Sequence, residues 1–432
     1  MPCVVLQYDD DTLIVFRAKA TTASRVKEIL DQFADLSGLH INFSKSTLTP
    51  IHTAESTVVQ CAQTLGCTIG EFPQSYVRLS LSISKLPIST FTVYIQKTDK
   101  FLSSWQADLL NSMGRSVLVN SVLDSLLVYL MSSLQVPVAT IELMDKKRRA
   151  FLWSGDKNGR SSPAACLVAW IKVCYPKEQG GLGIRDLGIQ NICLLLKLIH
   201  RLHCPQSSTW ASWVQGRASL VTLTGDLFGD HWKTMQDLLP LYQAITSVVL
   251  GDGRNYSFWF DVWLGDECMA YRYPELITHC TNSSPSVYDS LSWGLHSVLV
   301  PRLSVIANVQ LHSVQQLLNQ TVLSNEPDKR QSPFLKPDQS LDTAALYRMI
   351  KAKGQTPRQC SSRKAWHPQS QNVHVGPNEK EKSNAGKSFS RKELLILQFA
   401  RSAALMSSLQ NTSSMAAQLG RRYGLGCVYG PC

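Results

Sequence analysis

Three consecutive aspartates near the N-terminus lie between two short runs of strand-forming residues, and this feature constrains the fold most strongly. The runs are Val4–Tyr8 and Leu13–Phe16, and the aspartates are Asp9, Asp10 and Asp11. Two apolar strands that meet at an acidic tip predict a β-hairpin. Its carboxylates either form an acidic turn, because Asp is a favoured turn residue, or converge on Mg²⁺. The residues alone leave both interpretations open.

An amphipathic helix is predicted directly after the hairpin. Its apolar residues recur at helical spacing, and they are Val26, Ile29, Leu30, Phe33 and Leu36. Thr21 or Thr22 is suited to cap its start, and Gly38 is suited to end it. The alternation of apolar residues from 39 to 43 then predicts a half-buried strand. The N-terminal region is therefore expected to mix helices with strands.

Two segments of this region carry a family resemblance. Tyr8-Asp9-Asp10-Asp11-Thr12 resembles the Tyr-Ala-Asp-Asp-Thr signature of plant-type non-LTR (LINE-type) retrotransposon reverse transcriptases, with Asp9 in place of the alanine. Residues 37–46 resemble the Ser-Gly-Leu-x-Ile-Asn-x-x-Lys-Ser segment that follows in that family. The resemblance implies that Asp10 and Asp11 are catalytic Mg²⁺ ligands and that Lys45 assists at the leaving pyrophosphate. For Lys45 a solvated lysine at a strand end is the alternative.

The resemblance continues downstream in family order. Residues 72–82 resemble the primer-grip region, with Arg78 in place of a glycine; a side chain there costs about 1 kcal/mol or more if the backbone is left-handed. Residues 170–187 contain the family's Gly-Gly-Leu-Gly-Ile block, whose glycines predict a tight turn between a strand and a buried helix. Residues 251–263 contain Gly-x-Gly and then Phe-Trp-x-Asp-x-Trp; the Gly-x-Gly predicts a hairpin turn more readily than a phosphate site.

The resemblance implies an α+β fold in four segments. Residues 1–90 are a partial polymerase palm, 91–153 a helical thumb, 154–355 a connection region leading toward a zinc-binding region, and 356–432 a disordered basic tail. The implied partners are an RNA template and a DNA primer. The family's fingers and the strand with the remaining catalytic aspartate would precede Met1, so this chain alone is not expected to extend a primer. A non-catalytic nucleic-acid-binding remnant or a pseudogene product is the alternative.

Two further segments contain basic or metal-binding residue types close together in the sequence. The run from Lys146 to Arg149 is compatible with phosphate contacts and, equally, with a solvated helix end that favours the helix dipole. His200, His203 and Cys204 share a helix face, yet a zinc site needs four ligands and the chain has no Cys-x-x-Cys pair. These three are therefore interpreted as ordinary residues, and no zinc site is evident.

The formal net charge of +11 is concentrated at the C-terminus. Residues 351–432 contain thirteen Lys and Arg but three Asp and Glu, so the rest of the chain is nearly neutral. One helix, Leu394–Leu409, is predicted inside this tail. The most apolar run, Leu126–Met131, is far shorter than the ~20 residues of a membrane span. With no signal peptide pattern, the expected location is nuclear or cytoplasmic, without a membrane; no protein partner can be inferred.

Overall fold

The computed structural model describes residues 4–8, 11–102, 109–155, 166–204, 208–282, 284–352, 394–399 and 426–428. The chain divides into two compact units. The first comprises Met1–Leu86 together with Gly376–Cys432, and the second comprises Pro87–Val375. The predicted thumb and connection region therefore belong to one unit.

The described residues form a mixture of strands and helices. The strands are β1 (Val4–Tyr8), β2 (Asp11–Arg17), β3 (Thr47–Ile51), β4 (Thr68–Ile69), β5 (Gln74–Tyr76), β6 (Leu79–Leu81), β7 (Ser247–Val249), β8 (Lys329–Gln331), β9 (Leu394–Phe399) and β10 (Gly426–Val428). The helices are α1 (Ala20–Ser37), α2 (Glu55–Leu65), α3 (Thr92–Leu102), α4 (Ser112–Leu118), α5 (Asp124–Ser133), α6 (Val138–Ser154), α7 (Trp170–Val173), α8 (Leu187–His203), α9 (Thr209–Gln215), α10 (Asp230–Ala244), α11 (Met269–Arg272), α12 (Pro274–Thr278), α13 (Val287–Ser292), α14 (Val305–Asn319) and α15 (Thr343–Ala352). One π-helical turn, Val119–Leu123, joins α4 to α5.

The first unit is built on a six-stranded sheet with the order β10-β1-β2-β9-β3-β4. The predicted hairpin is present: β1 and β2 are antiparallel, and Tyr8 pairs with Asp11. Within the tail, β9 pairs with both β2 and β3. The helix predicted from residue 394 is therefore wrong over residues 394–399, because a run of six mostly apolar residues suits a central strand as well as a helix.

The helix predicted after the hairpin is α1, and it ends at Gly38 as predicted. Gly38 has a φ of 72°, and its N–H donates to the carbonyl of Ala34. The predicted threonine cap is wrong, because the cap residue is Lys19, which makes no side-chain capping bond. The strand predicted from 39 to 43 is also wrong. The chain is irregular there and ends in a 3-10 turn, Phe43–Lys45, which Asn42 caps with its side chain.

The second unit contains three hydrophobic cores. One lies between α8, α10 and α15 and includes Leu196, Met235 and Leu346. A second contains the aromatic residues of the Phe258–Trp263 block, packed against α14. The third joins α6 to the Gly-Gly-Leu-Gly block and includes Phe151 and Ile184. The segments that carry the downstream resemblance thus contribute directly to the core.

One continuous helical stretch, Ser112–Ser133, is long and apolar enough to cross a membrane by length and composition alone. Within it Asp124 is buried in an ion pair with Arg148 of α6. Leu127 and Met131 are buried inside the same unit. Asp124, Leu127 and Met131 thus lie in the interior of the unit, although only 33% of the most apolar part of the stretch is buried.

Candidate functional site

The acidic hairpin carries the first of the predicted site residues. Asp11 is the first residue of β2, pairs with Tyr8 and is half-buried. Asp10, the other predicted ligand, and Asp9 lie outside the described residues. The described part of the hairpin thus supplies one carboxylate at the end of a strand whose Leu13 and Ile14 are buried. A strand held in this way fixes the position of a carboxylate, as a metal site requires.

Lys45 lies at the same end of the sheet as Asp11. Leu13 of β2 and Thr47 of β3 both pair with Gln398 of β9, and Asp11 and Lys45 each precede these residues by two positions. Because neighbouring strands are ~4.8 Å apart, Leu13 and Thr47 are separated by roughly 10 Å. Lys45 is exposed, and its N–H donates to Asn42 Oδ1 over 3.1 Å. The topology therefore brings the strand end of Asp11 and the turn of Lys45 to one edge.

A metal site would need several ligating side chains close together among the described residues. Among those residues, no three His, Cys, Asp or Glu side chains come together. Asp11 alone is too few ligands, because Mg²⁺ prefers an octahedral set of oxygens. The Mg²⁺ site at Asp10 and Asp11 stays a prediction.

The segment that resembles the primer grip contains a short hairpin with a strained turn. β5 and β6 pair antiparallel, and Tyr76 is opposite Leu79. Between them Val77 has a φ of 48° and Arg78 a φ of 63°. Both values lie in the left-handed region, which Gly and Asn tolerate better than β-branched or long side chains. Arg78 thus occupies a conformation that suits the glycine of the family pattern.

The basic run of α6 has a structural role at two of its four positions. Arg148 is fully buried; its Nη2 lies 2.7 Å from Asp124 Oδ1 and donates to the carbonyl of Arg185 over 2.8 Å. Its Nη1 donates to Asp145. Lys147 is paired with Asp99. Both predicted alternatives, a phosphate contact and a solvated helix end, are therefore wrong for Arg148.

Asp124 is the buried partner that the sequence did not reveal. It follows the π-helical turn directly and is 1% exposed. Burial raises the pKa of Asp124 from 3.8 to about 6, and the positive charge of Arg148 limits the rise. The ring of Trp170 lies 5.3 Å from the guanidinium carbon of Arg148 and 5.7 Å from that of Arg149. The buried ion pair of Asp124 and Arg148 thus lies directly beside the π-helical turn.

The Gly-Gly-Leu-Gly block forms a tight turn, as predicted, after the short helix α7 and not after a strand. A Cβ on Gly181 would lie 2.0 Å from the carbonyl oxygen of Tyr175, so this position accepts glycine alone. Gly180 and Gly183 have φ values of 80° and 68°. The Gly183 N–H donates to the Tyr175 carbonyl over 3.0 Å. The glycines serve close backbone packing.

Two polar side chains connect this block to its surroundings. The Asp186 carboxylate caps α8 by accepting from the N–H groups of Gly188 and Ile189, and it lies 3.1 Å from Lys351 Nζ of α15. Asn191 is buried and joins α8 to the end of α5. Its amide donates to the carbonyls of Met131 and Leu134 and accepts from the N–H of Val136, over 2.7, 2.9 and 2.8 Å.

The Gly-x-Gly at 251–253 surrounds a carboxylate of the same chain. Asp328 Oδ1 accepts from the N–H of Gly251 over 2.6 Å and from that of Gly253 over 2.9 Å. A Cβ on Gly251 would lie 2.2 Å from the carbonyl oxygen of Glu326. The two amides that a phosphate would need are therefore already occupied, and the motif has a structural role.

The aspartate of the Phe-Trp-x-Asp-x-Trp block forms a second buried ion pair. Asp261 Oδ1 lies 2.7 Å from Arg330 Nη2, and its Oδ2 accepts from the Ser257 N–H over 2.7 Å. The guanidinium carbon of Arg330 lies 4.7 and 4.6 Å from the ring centres of Tyr242 and Tyr256. Arg330 comes from β8, 69 residues downstream of Asp261. The local sequence around Arg330 carries no signal beyond the two-residue alternation of a short strand.

The histidines of α8 lie beside this ion pair. His200 Nδ1 contacts the Tyr242 hydroxyl over 3.0 Å, and its Nε2 contacts the carbonyl of Gln339 over 2.9 Å. His203 contacts the carbonyls of Ile199 and Leu220, and burial lowers its pKa to about 3. Both ring nitrogens of His200 thus have partners within the protein, and neutral His203 donates to one of its two carbonyl neighbours at a time. The interpretation of these residues as ordinary core histidines agrees with these contacts.

Comparison with known proteins gives two plant relatives. No family profile matches the chain. A putative ribonuclease H protein of Arabidopsis thaliana is 28% identical over 183 residues, which are 40% of this chain and 29% of that protein. An uncharacterized mitochondrial protein of the same plant is 31% identical over 146 residues, 32% of this chain and 93% of that protein. The chain thus matches less than a third of the first relative and nearly all of the second. It belongs to the family of this uncharacterized mitochondrial protein, among retroelement-related plant proteins.

Proposed function

We propose that the chain is part of the RNA-directed DNA polymerase of a non-LTR retrotransposon. The observation that carries the proposal is the hairpin β1–β2, which ends at the aspartates of the Tyr-x-Asp-Asp-Thr pattern. Lys45 at the same end of the sheet supports it. In this proposal Asp10 and Asp11 bind Mg²⁺, and an RNA template and a DNA primer are the partners. Bound Mg²⁺ would stabilise the attacking and leaving oxygens of nucleotidyl transfer.

The chain itself would hold and orient these groups. β2 fixes Asp11 at its first residue, and the capped 3-10 turn fixes Lys45. The proposal assigns the remaining catalytic carboxylate to another strand of the parent enzyme, because two-metal chemistry needs ligands from more than one strand. The nuclear or cytoplasmic location stays a prediction.

Mn²⁺ binding to the full chain, measured by electron paramagnetic resonance, tests the metal site. The Asp11→Asn variant is expected to weaken Mn²⁺ binding at least tenfold, because it removes one of two anionic ligands. Asp35→Asn, an exposed carboxylate on α1, is the matched control and should leave binding unchanged. Equal affinities of the two variants would refute the metal site. Primer extension with Mg²⁺ or Mn²⁺ is the companion assay, and any product formed by the wild type should be lost in the Asp11→Asn variant.

A non-catalytic nucleic-acid-binding role is the second candidate. The observation that favours it is a set of exposed cations, Lys146 on α6, Lys172 on α7, and Lys177 and Arg185 in the segment that follows α7. Binding through such residues weakens steeply as salt increases, because phosphate contacts release counterions. A Lys172→Ala/Lys177→Ala variant should lower RNA affinity and the salt slope together. Lys233→Ala on α10 is the control, and an equal effect of both would exclude this surface.

A further inference from the structure

In the sheet of the first unit, β9 occupies the position between β2 and β3. We call this position the strand slot. Its sides are Thr12–Arg17 of β2 and Thr47–Ile51 of β3, and both sides are antiparallel to β9. All six residues of β9 pair with β2, and five of them also pair with β3. The strand slot thus provides hydrogen-bonding partners on both edges of one extended segment.

The two sides of the strand slot are also connected through a shared core with α1 and α2. The connection from β2 to β3 runs through α1, and Ala23 of α1 shares a core with Phe16 of β2 and Leu48 of β3. Helix α2 contributes Val58 and Leu65 to the same core. Residues 11–65 therefore contribute core contacts that position both sides. Empty, these sides would expose two facing edges, and such edges accept strands from other chains.

The segment that fills the strand slot is well suited to leave one copy and enter another. Its sequence, Leu-Leu-Ile-Leu-Gln-Phe, is uncharged, and the facing sides carry a charge at Arg17 alone. Residues 353–393 separate it from α15 in the sequence. An incoming segment from a second copy would form the same pairs as the resident one.

We propose that the strand slot is a strand-acceptor site and that its partner is a second copy of this chain. Each copy donates residues 394–399 to the slot of the other, which gives a closed, two-fold symmetric dimer. The resident segment is covalently attached to its own slot and competes at an effective concentration on the order of 1 mM. The exchanged dimer should therefore increase as the protein concentration approaches that value.

Sedimentation velocity of the full chain between about 10 μM and 1 mM tests this proposal. The dimer fraction should rise with concentration for the wild type and for the control Ser388→Pro, which lies outside β9. Ile396→Pro should stay monomeric, because proline lacks the N–H that a central strand must donate. A wild type that is monomeric at 1 mM, or an Ile396→Pro variant that dimerises equally, overturns the proposal.

A cross-linking experiment distinguishes exchange from a dimer formed elsewhere, and it does not depend on the proline variant. Thr12 pairs with Phe399, so the double variant Thr12→Cys/Phe399→Cys can form a disulfide between these positions. Isotopically labelled and unlabelled copies are mixed, oxidised and analysed by mass spectrometry. Mixed-isotope links between positions 12 and 399 should increase with concentration. Links within single copies alone at 1 mM, or no link between these positions, overturn the proposal.

Discussion

The buried ion pair between Asp261 and Arg330 gives the sharpest test of what stabilises the second unit. Their side chains are 0% and 1% exposed, and Nη2 of Arg330 lies 2.7 Å from the carboxylate. Asp261→Asn keeps the size of the side chain and removes its charge. Because the volume is unchanged, the variant measures the electrostatic contribution without creating a cavity.

The expected loss of stability depends on the contacts that Arg330 retains after the substitution. After the substitution its guanidinium still donates to the Thr246 hydroxyl and still lies between the rings of Tyr242 and Tyr256. Those contacts exist before and after the change, so they do not offset the loss. Removing one partner of a buried pair leaves an uncompensated charge and costs about 3–5 kcal/mol. With a total stability of about 5–15 kcal/mol for a native protein, this loss is a large fraction.

Urea unfolding followed by tryptophan fluorescence measures the loss, because Trp259 and Trp263 are buried beside Asp261. The control is Asp266→Asn, an exposed aspartate five residues downstream, which should change the free energy of unfolding by less than about 0.5 kcal/mol. The double variant Asp261→Asn/Arg330→Met leaves no unpaired buried charge. Its loss of unfolding free energy should therefore be smaller than the sum of the losses of the two single variants. Equal effects of Asp261→Asn and Asp266→Asn, or strict additivity, would refute the reasoning.

Three further changes are expected to alter stability in defined directions. Val77→Asn/Arg78→Gly should raise the free energy of unfolding of the first unit by about 1–2 kcal/mol, because it relieves two left-handed residues; a lower value in urea unfolding would contradict this. Asn191→Ala should lower stability by about 3 kcal/mol or more, since three buried backbone groups lose their partner; a loss below 1 kcal/mol would show that they find others. Asp124 binds its proton more tightly when folded, so stability relative to Asp124→Asn should fall between pH 4 and pH 6 by about 3 kcal/mol; a rise, measured by urea unfolding across that range, would show that the pair with Arg148 outweighs burial.

Local patterns in the sequence predicted the elements that local interactions determine. The hairpin β1–β2 follows from two apolar runs around an acidic tip, and the end of α1 follows from Gly38. The tight turn at Gly181 was also predicted, because a glycine pattern reports a backbone requirement that does not depend on distant residues. Each of these depends on one short run of consecutive residues.

Predictions failed where a distant partner decides the structure. The basic run of α6 gave no sign that Arg148 would be buried, because its partner Asp124 lies on the preceding helix. Arg330 and Asp261 are separated by 69 residues, and neither neighbourhood identifies the other. The residues 394–399 match a helix and a strand equally well in isolation, and their pairing with β2 and β3 decides in favour of a strand.

The residues that carry the downstream resemblance have structural roles in the fold, and their contacts give little support for catalysis. Gly181 permits a close backbone approach, Asn191 joins two helices, and Asp261 neutralises a buried arginine. Replacing any of them would cost stability whether or not the chain acts on nucleic acid, so such a pattern can persist in a protein without activity. The proposed chemistry depends instead on the short acidic hairpin and Lys45, which belong to the first unit. A catalytic role therefore has to be tested at Asp10, Asp11 and Lys45.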